Sequence, residues 1–208
     1  MNDTHIYMPE DHMDKLYTSK NPCVRYIHEK RLKIIVNSIP NKNNLKILDA
    51  GCGEGHLLQK LYEKNKKYNY IGIDITEAAL LKAKKRCPYA NIKKMNLSRL
   101  EFRNNSFDVI TCTEVIEHIY EYERVFSEFK RVLKKGGSLI LTFPNETMWT
   151  IGRFFLMRRP IKVPDHVNSF SPKIIKNEIG LELIRQTNLP FYLPFFVSLG
   201  SVMVFNKN

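Results

Sequence analysis

Between Leu45 and Phe143 short apolar runs alternate with longer amphipathic ones, and this alternation constrains the fold more than any other property of the chain. Apolar runs bounded by turn signals suit strands buried on both faces, and the longer runs suit helices that cross back over a sheet. The strand-like runs are Leu45–Ala50, Asn69–Asp74, Asn91–Met95, Phe107–Cys112 and Ser138–Phe143. Helices are expected over Leu57–Lys67, over Glu77–Cys87 between Thr76 as cap and Pro88 as stop, and over Glu114–Leu133, halted by Gly136 and Gly137. Ahead of them, Asn21–Ser38 reads as a helix with Pro22 near its start, Arg25, Lys30, Arg31 and Lys33 on a polar side, and Ile27, Ile34 and Ile35 as an apolar stripe. Leu181–Thr187 and Ser201–Phe205 read as two closing strands in a hairpin-like edge. The pattern predicts a layered α/β domain.

A chain of 208 residues builds one such domain with a full core, so residues 1–208 are taken as a single unit. It divides into a helical N-terminal segment (about 1–40), a ligand-binding core (about 45–145) and a substrate-side segment with the closing strands (about 146–208). Hydrophobic residues make up 43% and charged residues 26%, which excludes a disordered chain or a disulfide scaffold. The net charge of +12 admits an anionic partner, nucleic acid or an acidic membrane surface. Cys23, Cys52, Cys87 and Cys112 are too widely spaced for a metal knuckle, and Met1–Tyr17 carries His, Asp and Glu where a signal peptide needs an apolar core; a cytoplasmic protein is expected. The longest uncharged run, Leu189–Phe205, is broken by Pro190, Pro194 and Gly200 and reads as a loop and a buried strand, not as a transmembrane segment.

The chemistry-bearing segments lie at the ends of the strand-like runs. Asp49-Ala-Gly51-Cys-Gly53-Glu-Gly55 falls where a strand becomes a helix, and glycines there permit positive φ and a close approach of ligand to main chain. The GxGxG spacing differs from the GxGxxG of pyrophosphate-binding folds, which weakens NAD and ATP as ligands. Asp74 ends the next strand, where a carboxylate accepts two hydrogen bonds from ribose hydroxyls. A nucleoside ligand explains both features.

The segments ILDAGCGEG, IGIDIT, FDVITCTEVIEHI and LKKGGSLILTFPN resemble those of the class I S-adenosylmethionine-dependent methyltransferases, clearly over Lys46–Asn145 and more loosely beyond. The resemblance implies an α/β, Rossmann-like fold: a seven-stranded, mostly parallel sheet with an antiparallel last strand and helices on both faces. It also implies S-adenosyl-L-methionine as cofactor. The glycine loop (Asp49, Gly51, Gly53, Gly55) would then contact its methionine part, Asp74 the ribose, and Ile75 the adenine. An Asp common in the family near the adenine amine is replaced here by Asn96, followed by Leu97; an amide still accepts a hydrogen bond.

If Glu114-Val-Ile-Glu117-His118 is helical, its i, i+3 and i+4 positions share a face and present two carboxylates and an imidazole, donors suited to a divalent cation. EVIEH also resembles the motif of two metal-dependent groups of the class, the ubiquinone-pathway catechol O-methyltransferases and the small-RNA 3′-terminal ribose 2′-O-methyltransferases. That likeness implies Mg2+ or another divalent cation on Glu114, Glu117 and His118, with His166 as fourth ligand by analogy with a further His of the RNA enzymes. Without metal, His118 and Glu117 remain the catalytic candidates, His118 as general base. Similar segments also occur in generic methyltransferases, where the acids simply favour a helix N-terminus.

Trp149–Lys162 joins aromatic bulk to Arg153, Arg158, Arg159 and Lys162, and suits a lid, a membrane-surface helix, an RNA platform, or a helix packed on the core through Phe154, Phe155 and Leu156. The favoured expectation is O-methylation of a small apolar or aromatic acceptor. Its rivals are RNA 2′-O-methylation with a divalent metal, and a catalytically inactive cofactor-binding partner subunit.

Overall fold

The computed structural model describes residues 19–155 and 166–208. Helix α1 (Pro22–Ser38) leads into β1 (Lys46–Ala50), α2 (His56–Lys64), β2 (Asn69–Asp74), α3 (Glu77–Arg86), β3 (Asn91–Lys94) and β4 (Phe107–Thr113). A single 3-10 turn (Ile116–His118) then precedes α4 (Tyr122–Val132), β5 (Leu133–Pro144), α5 (Glu146–Phe155), α6 (Pro172–Ile179), β6 (Glu182–Leu189) and β7 (Gly200–Asn206). The strands form one seven-stranded sheet in the order β3-β2-β1-β4-β5-β7-β6, in which β7 runs antiparallel to β5 and β6 while the other pairs are parallel.

The strands read as continuous apolar runs because both faces are covered. Neighbouring residues alternate between two cores: Leu48, Ile110, Leu139 and Leu141 meet Phe126, Phe129 and Ile175 on one face. Ile47, Val109 and Ile140 meet Leu32, Ile35, Leu58 and Leu61 on the other. After β3 the chain returns across β1 to build β4, so the order reverses between β1 and β4. In open α/β sheets that reversal leaves a crevice outside the carboxyl ends of the strands, which is where ligands bind.

Four expectations are corrected. The stretch 114–133 is not one helix: Glu114 has φ +54°, the 3-10 turn follows, and α4 starts at Tyr122. The amide of Glu114 donates to Thr142 O (3.2 Å), which carries the β4–β5 ladder one residue beyond the strand and delays the helix. Gly136 and Gly137 do not stop α4, because β5 already begins at Leu133; Gly136 (φ +70°) lies where the β4–β5 register shifts between Phe107 and Val109, a bulge that favours glycine. Arg31 is not on the polar side of α1 but buried with His28, 4% and 5% exposed. Phe154 and Phe155 do not pack on the core, being 63% and 76% exposed; Leu156, Arg158, Arg159 and Lys162, like Met1–Tyr17, lie outside the described residues.

Candidate active site

The glycine loop sits at the crevice between β1 and β4. The amides of Gly51 and Cys52 both donate to Ile73 O at the end of β2 (2.8 and 2.9 Å), which turns the chain sharply off β1. Gly51, Gly53 and Gly55 have φ of +77°, +49° and +84°, conformations costly for other residues. A methyl group on Gly51 would stand 2.4 Å from Val115 Cγ2, so the loop passes directly against the EVIEH segment. Asp74 organises the turn: its Oδ2 accepts from Gly53 N (2.9 Å) and its Oδ1 from Thr76 N (2.8 Å). Each oxygen retains a lone pair for a ligand hydroxyl. Ile75 beside it is 44% exposed, an apolar surface open to a flat ring. Asn96 is exposed and its Oδ1 accepts from Ser98 N (2.8 Å), whereas Leu97 is buried in the core below.

Asp49 is buried at the end of β1, where Thr111 Oγ1 donates to its Oδ1 at 2.7 Å. Burial pushes its carboxyl from 3.8 to about 7; Thr111 opposes the rise and the Asp74 charge adds to it. Between these values the native carboxyl keeps a proton that the unfolded one has lost. The ligand-free protein therefore loses stability as pH rises through this window, by on the order of 4 kcal/mol in total. Urea unfolding from pH 4 to pH 8 is expected to show this decline in the wild type and a smaller one in Asp49→Asn; parallel profiles would remove Asp49 as its source.

A second group lies across the loop. Side-chain donor atoms of Glu117, His118 and His166 all fall within 4.8 Å of one another, and the two imidazoles meet edge to face with centroids 4.7 Å apart. The main chain joins these distant segments: Val167 N and Asn168 N both donate to Glu117 O (2.9 and 3.1 Å), and Asn168 Nδ2 donates to Ile119 O (2.7 Å). His166 Nδ1 donates to Glu146 Oε1 at 2.5 Å, which fixes the ring and aims Nε2 elsewhere. Glu117 is 1% exposed, and neither carboxylate oxygen has a hydrogen-bond partner among the described residues. Burial pushes its carboxyl well above the usual range, the Glu114 charge pushes the same way, and Arg31 pulls against both.

Glu114 is absent from this group, a correction to the helical reading of EVIEH. It projects toward α1, where Arg31 binds Oε2 (2.8 Å) and Thr142 Oγ1 donates to Oε1 (2.9 Å). Sequence reasoning missed Glu146 and Arg31. No spacing rule ties Glu146 to a histidine twenty residues on, but Arg31 left a sign: it continues the row of Ile27 and Ile35 on the apolar face of α1.

One carboxylate and two imidazoles on fixed supports form a donor set suited to a divalent metal. The orphaned Glu117 carboxyl fits that use, since burial keeps it from ionising unless a cation partners it. A cavity of about 430 Å³ borders the group, lined by Glu146, Thr147, Thr150, Ile151, His166 and Val167; a second of similar size, apolar, runs between Ile27 of α1 and Phe191 and Leu199.

The sheet order and the loop at its switch point define a nucleotide-type ligand fold. The profile of a family described as "Methyltransferase domain" matches residues 48–141. The ubiquinone/menaquinone biosynthesis C-methyltransferase of Campylobacter jejuni is 32% identical over 154 residues, 72% of this chain and 65% of that protein. The human mitochondrial ubiquinone biosynthesis O-methyltransferase is 29% identical over 188 residues, 83% of this chain and 49% of that protein. The chain thus spans half to two thirds of the length of these curated relatives. The crystal structure of the PH0226 protein from Pyrococcus horikoshii shares the fold with a TM-score of 0.76 at 18% identity, covering 97% of this chain and all of that one. The methyltransferase match over residues 48–141, these relatives and the shared fold support a class I S-adenosylmethionine-dependent methyltransferase, a family that implies S-adenosylmethionine as methyl donor.

Proposed function

We propose that this chain transfers a methyl group from S-adenosylmethionine to an oxygen of a small apolar or aromatic acceptor, with a divalent cation held by Glu117, His118 and His166. The observation that carries the reading is the Glu117 carboxylate, buried without a donor among the described residues and facing two imidazoles. Gly51, Gly53 and Gly55 take the methionine end of the donor on bare main chain, Asp49 stands behind them, and Asp74 accepts from the ribose hydroxyls. Ile75 lies against the adenine, with Asn96 and Leu97 at its edge. A bound Mg2+ or other divalent cation supplies charge that lowers the pKa of an acceptor hydroxyl and holds neighbouring oxygens. Glu117, His118 and His166 would hold that cation against the acceptor oxygen; in the metal-free alternative His118 is instead the general base that takes the acceptor's proton. Methyl transfer is an in-line displacement, so alignment and exclusion of water supply most of the rest. The cavity bordered by His166, Ile151 and Val167 suits the acceptor. All four cysteines are free, in keeping with a reducing compartment such as the cytoplasm, and no described helix is long and apolar enough to cross a membrane.

The test is turnover of a catechol with labelled donor, before and after chelation. Activity lost with chelator and restored by Mg2+ or Mn2+ supports the reading; turnover indifferent to chelation overturns the metal's part in it, and a product methylated at carbon overturns the acceptor atom.

RNA 2′-O-methylation is the second reading, favoured by His166 joining Glu117 and His118 and by the net charge of +12. RNA affinity falling steeply with salt would favour it, and no measurable RNA binding would exclude it. A catalytically inactive partner subunit is eliminated by turnover of the isolated chain.

A further inference from the structure

We propose that loop 190–199 and the first turns of α1 form a docking surface for an anionic phospholipid bilayer. The loop, PFYLPFFVSL, contains no charged residue. Phe191, Tyr192 and Phe196 are 62%, 67% and 74% exposed, with Leu193 and Val197 also turned to solvent. This exposure is built, because the backbone behind the rings is fastened from within. Tyr192 N donates to Asn188 O (3.1 Å), Ser198 Oγ to the carbonyls of Leu193 and Pro194 (3.0 Å each), and Asn145 Nδ2 to Phe195 O (2.6 Å). Phe195 turns inward onto Phe143, centroids 5.9 Å apart, and anchors the loop. A loop held this firmly while presenting large apolar rings outward is an interaction surface.

Its chemistry fits a lipid headgroup layer. Tyr26 of α1 stacks on Phe191 with centroids 6.5 Å apart. Lys30 Nζ stands 5.4, 5.6 and 4.9 Å from the ring centres of Tyr26, Phe191 and Tyr192. Phenol and ammonium groups beside apolar rings are the amphipathic pairing that settles at a membrane interface, rings in the acyl boundary and charges among the headgroups. The ionic side chains on the adjoining turns include Lys20, Arg25 and Lys30, and Arg25 shares Glu29 only through an exposed 3.9 Å pair. Positive charge here, within a chain of net +12, complements an acidic leaflet. The cavity lined by Tyr26, Ile27, Pro190 and Phe191 borders the same surface, so an apolar chain has somewhere to go once the rings are seated. Docking of this kind does not depend on methyl transfer and stands apart from the function proposed above.

The test is flotation of the protein with vesicles of phosphatidylcholine alone and of phosphatidylcholine mixed with phosphatidylglycerol. The mixed vesicles are expected to bind at least about tenfold more strongly, with salt weakening the difference, and the double substitution Phe191→Ser, Phe196→Ser is expected to reduce that binding by about tenfold or more. Calorimetry with S-adenosylhomocysteine, unchanged in the double variant, verifies its fold. Failure to bind either vesicle, or equal binding by the variant, overturns the proposal. Self-association of the wild type that the double substitution abolishes also overturns it, by assigning the surface to a second copy of the chain.

Discussion

Glu117→Gln is expected to lower methyl transfer at least about a hundredfold, the low end of what a positioned acid, base or metal-holding group contributes, while leaving the metal-free protein as stable as the wild type or more so. Loss of activity alone would not separate a functional group from a structural one, but the two readouts together do. A structural carboxylate would be hydrogen-bonded, and its neutralisation would loosen the fold. Glu117 has no such partner among the described residues, and its burial makes ionisation costly. An amide of the same shape removes that cost. Thermal melts with and without Mn2+ complete the comparison: added metal should raise the wild-type melting temperature and leave the variant unmoved. Unchanged turnover in Glu117→Gln would remove the group from the chemistry.

Asp74→Ala is expected to weaken S-adenosylhomocysteine binding at least tenfold, about 1.4 kcal/mol, measured by calorimetry. Two effects contribute. The ribose hydroxyls lose their acceptor, and the amides of Gly53 and Thr76 lose theirs, so the glycine loop slackens as well. Asp74→Asn separates them, because an amide oxygen still accepts from one of the two main-chain donors. Affinity intermediate between the wild type and Asp74→Ala is expected. An unchanged dissociation constant in Asp74→Ala would exclude this carboxylate from the cofactor site.

The sheet was legible because its physics is local. Strands covered on both faces are apolar throughout, and the limits expected for β2 coincide with Asn69–Asp74. The glycines were legible for a similar reason, since positive φ at Gly51, Gly53 and Gly55 is a property of single residues. Failures arose where a distant segment decides. EVIEH has helical spacing, yet Thr142 and Arg31, far away in the chain, hold Glu114 at a strand end and draw its carboxylate away. Glu146 could not be found from sequence because its meaning comes from His166, twenty residues on, and no local rule brings the two side chains together. Phe154 and Phe155 show that bulk and hydrophobicity do not assign burial.

The Arg31–Glu114 pair gives α1 an unusual fastening. Both partners give up hydration to meet, and both recover it if the helix lifts, so separation returns much of what contact provides. A pair of leucines in the same place would offer no such compensation. The N-terminal helix is thus tied to the end of β4 by a latch that water can help undo.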